Sequence, residues 1–205
     1  MSRANALVLA ALYAALAGLV AAGIFTGVDQ WAVDHAMPGA HFHAKQASVI
    51  QSLVPFVEPH GRAGWGLAVN LVTLPAGAVV SLAILAALGQ WALAAVCIAA
   101  DLVELLCKHV LTRPALDAGR FHIAPFDSSF PSGHALRTVI VAGAVAALWP
   151  RGRPFVAAWA CASMALLLLA GWHTPTDLAG GLLLGALALL GARGAGALRA
   201  RRLRP

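Results

Sequence analysis

Charge is what this sequence has least of. Lys, Arg, Asp and Glu make up 11% of its 205 residues, where an average soluble chain carries about 25%. Hydrophobic residues make up 60%, against roughly 45–50% in soluble domains, and the mean hydropathy is +0.81. A soluble core of this length cannot bury that much apolar surface, and the same figures argue against disorder. Cysteine is scarce as well. Cys97, Cys107 and Cys161 all lie in apolar runs, with no CxxC and no zinc-ligand spacing. That removes a disulfide framework and a structural zinc site, and leaves the thiols as core filler. There is no internal repeat and no low-complexity tract, so the paired halves of a transporter are missing. The first apolar run, from Ala6, is not followed by a small-x-small cleavage site and a soluble domain. It reads as a retained span instead of a secretion signal.

What is present is a succession of apolar runs. They cover roughly Ala6–Thr26, Leu67–Leu88, Trp91–His109, Ser132–Leu148, Phe155–Gly171 and Asp177–Leu190. A spanning helix needs about 20 residues. The expectation is an all-α polytopic membrane protein, with six transmembrane helices in one bundle. It forms a single domain over 1–192, followed by a basic tail at 193–205. Gly89-Gln90 and the Pro150–Pro154 segment mark tight turns. The Gly/Ala/Arg tail after Leu190 reads as short and frayed.

The charge balance is +6, with 14 basic against 8 acidic residues. A basic chain of this kind raises nucleic acid as a partner, but the basic residues form no polar face. Eight of the 14 are Arg3, Arg151, Arg153, Arg193, Arg199, Arg201, Arg202 and Arg204. They fall in the segments that lie inside if both termini are cytoplasmic, which fits the positive-inside bias. The expected location is the inner (cytoplasmic) membrane, multi-pass, with the bilayer as partner and no nucleic acid. The outer segments are then about 27–66, 110–131 and Trp172–Thr176. The first holds Asp29, Asp34, His35, His41, His43, Lys45, Glu58 and His60, and its middle, about Lys45–Val57, suits an amphipathic helix lying flat on the surface.

Three polar clusters meet the same outer face on this topology. At the exit of the third run stand Lys108, His109 and Arg113, two cations suited to a phosphate or to interfacial snorkelling. Asp101 and Glu104 lie on roughly the same face, and Glu104 is placed to pair with Lys108. At the entry of the fourth run stands Phe130-Pro131-Ser132-Gly133-His134. Pro131 stops a helix, Ser132 is a good N-cap, and a helix start holds an anion through free N–H groups and its dipole. His134 can give or take a proton there. The plainer reading is an N-cap beside an interfacial histidine. Between the fifth and sixth runs stands Gly171-Trp172-His173-Thr174-Pro175-Thr176-Asp177. A carboxylate beside His173 fixes its tautomer and sharpens the other nitrogen as nucleophile or base. Thr174 to Asp177 also form a capping box with Pro at the first helical position, and Asp177 can do both jobs.

Together the clusters resemble the type-2 phosphatidic acid phosphatase (PAP2) superfamily of membrane lipid phosphatases, whose pattern is K-x6-R-P, P-S-G-H and S-R-x5-H-x3-D. P-S-G-H is complete at Pro131–His134, and H-x3-D at His173–Asp177. The likeness covers roughly Leu67–Leu190. Two positions depart from it. The first-motif arginine would fall at Ala115, whereas Arg113 lies five residues after Lys108, and the third-motif Ser-Arg would fall at Leu166 and Leu167. Arg137, one turn beyond His134, is a candidate to compensate, as are Arg120 and His122.

The resemblance implies a membrane lipid phosphatase without metal or cofactor. His173 would attack phosphorus to form a phosphohistidine, Asp177 would orient it, and His134 would protonate the leaving group and then activate water. Lys108, Arg113, Ser132 and Gly133 would hold the phosphoryl oxygens. The substrate class is a lipid phosphate: a polyprenyl diphosphate, phosphatidylglycerophosphate or phosphatidate. The alternatives are a lipid phosphotransferase, or a catalytically weak relative that binds headgroups or scaffolds partners, which the unmatched arginine positions favour. The oligomeric state is not written in the sequence.

Overall fold

The computed structural model describes residues 3–45 and 69–202. They are mostly helical. In chain order the helices are α1 (Arg3–Ala21), α2 (Thr26–His35), α3 (Pro38–Lys45), α4 (Val69–Ala76), α5 (Ala78–Ala87), α6 (Trp91–Val110), α7 (Gly133–Leu148), α8 (Arg153–Leu169) and α9 (Pro175–Arg202). The flat helix expected over about 45–57 falls almost wholly outside the described residues, as do Glu58 and His60; of His43 and Lys45 only the backbone is described.

Each apolar run is mainly helical over its described residues, but not each helix meets the length and composition of a span. α1, α8 and α9 do, over Ala4–Ala21, Pro150–Leu169 and Pro175–Arg193. α4 and α5 together make a fourth if they are one span, bent by 53°. The bend follows Pro75, which lacks an N–H, and sits at Gly77 in extended conformation. α6 is long enough, with 20 residues, but carries Asp101, Glu104 and Lys108. Their charges turn inward, onto Arg137 and onto one another, while Ile98, Leu102, Leu105 and Leu106 face outward. α7 has 16 residues, about 24 Å at about 1.5 Å per residue, short of a hydrocarbon core about 30 Å thick.

The outer surface is apolar where the centre is not. Leu7, Val8 and Leu12 on α1 and Val79 on α5 are exposed, with the α6 leucines. Apolar surface on this scale, on helices whose backbone groups are paired internally, fits lipid as the solvent. The core runs along α7 and α9, where Leu136, Ile140 and Ala144 pack on Leu184 and Ala188, with Leu85, Leu93 and Cys97 closing the side. α8 is tied to α4 by Trp159 Nε1, which donates to the Val72 carbonyl at 2.8 Å.

Three local features differ from expectation. The segment after residue 26 opens as two helices, α2 and α3, because Asp29, Ala32, Val33, Met37 and Ala40 supply a buried stripe at helical spacing. The segment between α6 and α7 holds a two-residue antiparallel pair, β1 (Asp117–Ala118) with β2 (Phe121–His122), turned at Gly119 with φ +62°. And α9 does not stop at Leu190 but continues to Arg202. Ala, Leu and Arg are strong helix formers, and they outweigh the interspersed glycines.

Candidate active site

The three clusters lie at one end of the bundle: the C-terminus of α6, the N-terminus of α7, and the turn from α8 to α9. That turn is set by Gly171. Its φ is +71°, and a Cβ there would strike the backbone of Ala40 on α3. Gly39 approaches the Ala170 carbonyl equally closely. The α8–α9 turn and α3 therefore hold each other, and His173 leaves this clamp two residues later.

His173 precedes the helix, which begins at Pro175. Its Nδ1 lies 3.7 Å from Asp177 Oδ2 and has no hydrogen-bond partner. Asp177 performs the capping that its spacing predicts. Thr174 N donates to Asp177 Oδ2 at 3.0 Å, and Asp177 N donates to Thr174 Oγ1 at 3.3 Å. Ser129 Oγ also donates to Asp177 Oδ2, at 2.6 Å. The carboxylate is fully buried.

Ser132 caps α7, accepting from Ala135 N at 3.2 Å, and its own N–H donates to the Asp177 carbonyl at 2.9 Å. The starts of α7 and α9 are thus joined, which sets His134 opposite His173 with ring centres 6.1 Å apart. Trp172 meets the His134 ring edge-on at 5.8 Å.

The cations are engaged. Lys108 Nζ donates to Glu104 Oε1 at 2.6 Å. Arg137 donates to the Ala76 carbonyl at 2.7 Å, Asp101 Oδ1 at 2.8 Å and Glu104 Oε2 at 3.3 Å. Glu104 lies directly against Gly133, where any Cβ would collide with both of its oxygens. Arg113 Nη1 donates to Thr174 Oγ1 at 3.0 Å and Asp177 Oδ1 at 3.2 Å, and Nη2 donates to Asp29. Three cations are thus interleaved with four carboxylates. Arg120 stands apart, over the Phe121 ring at 5.9 Å. Among the described residues, no group of three His, Cys, Asp or Glu side chains is arranged to hold a metal ion.

Sequence reasoning missed Asp29 and Ser129 as members of this network. Asp29 carried a signal: it stands on the same helical stripe as Ala32, Val33 and Met37, an acid placed where an apolar residue belongs. Ser129 carried none. The apolar cleft lined by Pro75, Ile84, Val141, Val145, Phe155, Val156 and Trp159, about 340 Å³, opens beside the far half of α7, away from His134.

His122, beyond the site, sits between two acids. Its Nε2 lies 3.0 Å from Asp127 Oδ2 and its Nδ1 3.5 Å from Asp117 Oδ1. The bond to Asp127, foremost, holds its pKa above the ordinary 6.5. The folded-state value is raised, so the pair supports the hairpin fully below pH 6.5 and less as pH rises through the folded value. The ring is 42% exposed, so the effect on stability is small. An NMR titration should place the His122 midpoint above 6.5, with Asp127→Asn bringing it back down. A wild-type midpoint at or below 6.5 would refute the pairing.

The fold and the site define a class: a helical protein of membrane type, with two facing histidines and a carboxylate behind one of them at the end of its bundle. A search against protein families matches residues 88–195, more than half of the chain, to the PAP2 superfamily. The chain belongs to the PAP2 superfamily, a membership that points to phosphatase activity. No curated protein and no solved structure matches it.

Proposed function

We propose that the protein is an integral membrane lipid phosphatase, with six membrane passes, both termini cytoplasmic and the site at the outer face. The observation that carries the reading is the facing pair His134 and His173 with Asp177 behind the second ring. His173 Nε2 attacks phosphorus, forming an N–P bond as the bond to the leaving oxygen breaks, and His134 gives that oxygen its proton. Water then attacks the phosphohistidine, His134 takes the water proton, and orthophosphate leaves. Asp177 accepts from Nδ1–H of His173 and steadies the charged ring. The present 3.7 Å separation is the loose spacing that such pairs show before substrate binds. Lys108, Ser132 and the Gly133 N–H are the candidate phosphate contacts, joined by Arg113 in the family's scheme. No metal enters this mechanism.

The substrate is an amphiphile whose phosphate reaches headgroup depth while its tail stays in hydrocarbon, of the polyprenyl diphosphate, phosphatidylglycerophosphate or phosphatidate class. The pairing of every site cation with a carboxylate favours a second reading, a headgroup binder without turnover. Phosphate release by the purified protein in detergent, without added metal, separates the two. Release on one of these lipids that vanishes in His173→Ala is the expected result. Release equal to the variant on all three would leave the binder.

A further inference from the structure

We propose that Arg113 serves Asp177 and not the substrate phosphate, and that Asp29 on α2 is the positioning residue that assigns it there. The inference rests on the phosphatase reading above, and changes the role that the family pattern gives to this arginine.

Arg113 and Asp29 are closed off from solvent, with side-chain exposures of 4% and 0%. The guanidinium is bracketed by two carboxylates: Nη2 on Asp29, Nη1 on Asp177 and on Thr174 Oγ1. Asp29 is held in turn from α9. Thr176 N donates to its Oδ1 at 3.2 Å and Thr176 Oγ1 to its Oδ2 at 2.6 Å. Both oxygens of Asp29 and both terminal nitrogens of Arg113 are therefore committed within the protein. Nε, buried and without a partner, is the one guanidinium nitrogen left; at either terminal nitrogen a phosphoryl oxygen would have to compete with a buried carboxylate, whose displacement is strongly unfavourable.

Asp177 gains what the phosphate loses. A fixed cation on Oδ1 keeps the carboxylate ionised and locks its rotation. Oδ2 is then left facing His173 Nδ1, with Ser129 Oγ and Thr174 N as its other neighbours. Asp29, Arg113, Asp177 and His173 form one chain of charge across three segments distant in sequence. Its outer end lies in the helix that opens the first outer segment, which makes α2 part of the catalytic support.

The test separates turnover from phosphate affinity. In purified protein, kcat and KM for a lipid phosphate are measured along with Ki for orthophosphate, for wild type, Asp29→Asn and Arg113→Met. A positioning role predicts a kcat lower by roughly 10- to 100-fold in both variants, with KM and Ki within about twofold of wild type. Asp29→Glu keeps the charge and should recover part of the loss; if the Asn variant does not fold, it carries the same kcat-against-Ki test alone. A Ki that rises tenfold or more in Arg113→Met, or an unchanged kcat in folded Asp29→Asn, would overturn the proposal while leaving the phosphatase reading intact. Wild-type protein that releases no phosphate from any of the three lipids would sink both.

Discussion

Asp177→Ala is expected to cost about 3–5 kcal/mol of stability, the range for removing one partner of a buried ion pair, and to abolish phosphate release. The carboxylate is fully buried and is met by Ser129 Oγ, Thr174 N and Arg113 Nη1. Alanine would strand Thr174 N, leave Ser129 Oγ with only the Phe126 carbonyl, and leave the Arg113 charge with Asp29 alone. The Thr174 N bond is the return half of the capping box that starts α9; the other half, from Asp177 N–H to Thr174 Oγ1, would remain. Asp177→Asn separates the components, because it keeps the shape and one acceptor while removing the charge. Unfolding in detergent, followed by helical circular dichroism against denaturant, gives the difference. A loss below about 1 kcal/mol for the alanine variant would mean that the network is satisfied by water and is not the support described here.

Gly181→Val should be nearly as damaging, for a different reason. α7 and α9 cross closely at Gly181 and Gly185. A Cβ at Gly181 would collide with the Ser132 carbonyl and come within 2.7 Å of Ala135 Cβ. The first of these is backbone, at the cap of the helix that carries His134, and it cannot swing aside as a side chain can. Gly185 repeats the constraint one turn on, where a Cβ would lie 2.7 Å from the Leu136 carbonyl. Overpacking of this kind costs about 1–3 kcal/mol. The functional effect should be larger, because about 1 Å of misplacement between reacting groups can cost roughly 100-fold in rate. Gly191→Val is the control, since nothing lies within 4 Å of a Cβ there. Activity within twofold of wild type for Gly181→Val would show that α7 and α9 can separate without disturbing the two histidines.

The sequence made the helices legible because their apolar runs are long and their punctuation is sharp. Gly89 ends α5 with φ +68°, as the turn reading requires, and Ser132 caps α7. Both are local effects, and local effects survive translation from sequence to structure. The number of spans was less legible. Hydropathy treats Asp101, Glu104 and Lys108 as costs to α6; the Glu104–Lys108 pair follows from spacing, but only the packing reveals that Asp101 and Glu104 also meet Arg137. At the site, the motif residues were readable one by one, because each stands at a fixed offset from a helix end. The partnerships within one helical turn, Glu104 with Lys108 and His173 with Asp177, were readable too; those between distant segments were not. Arg113 and Asp29 are 84 residues apart, and no spacing rule joins them. The buried stripe on α2 showed that an acid was out of place, and only the fold showed what it was there to meet.

Glu104 bridges Lys108 and Arg137 while resting on the α carbon of Gly133. On the proposed reading, binding at this place is an exchange. An arriving headgroup does not fill an empty cationic bowl; it competes with an anion that the protein already holds. Selectivity then depends on how well a guest outbids a carboxylate. A terminal phosphate, doubly charged and with three free oxygens, can do so. A phosphodiester, with one charge and two free oxygens, matches the resident group and gains little by replacing it. The bilayer is made of diesters, present in vast excess over any monoester. A resting site closed by its own acid would let a membrane enzyme sit in that sea without being saturated by it.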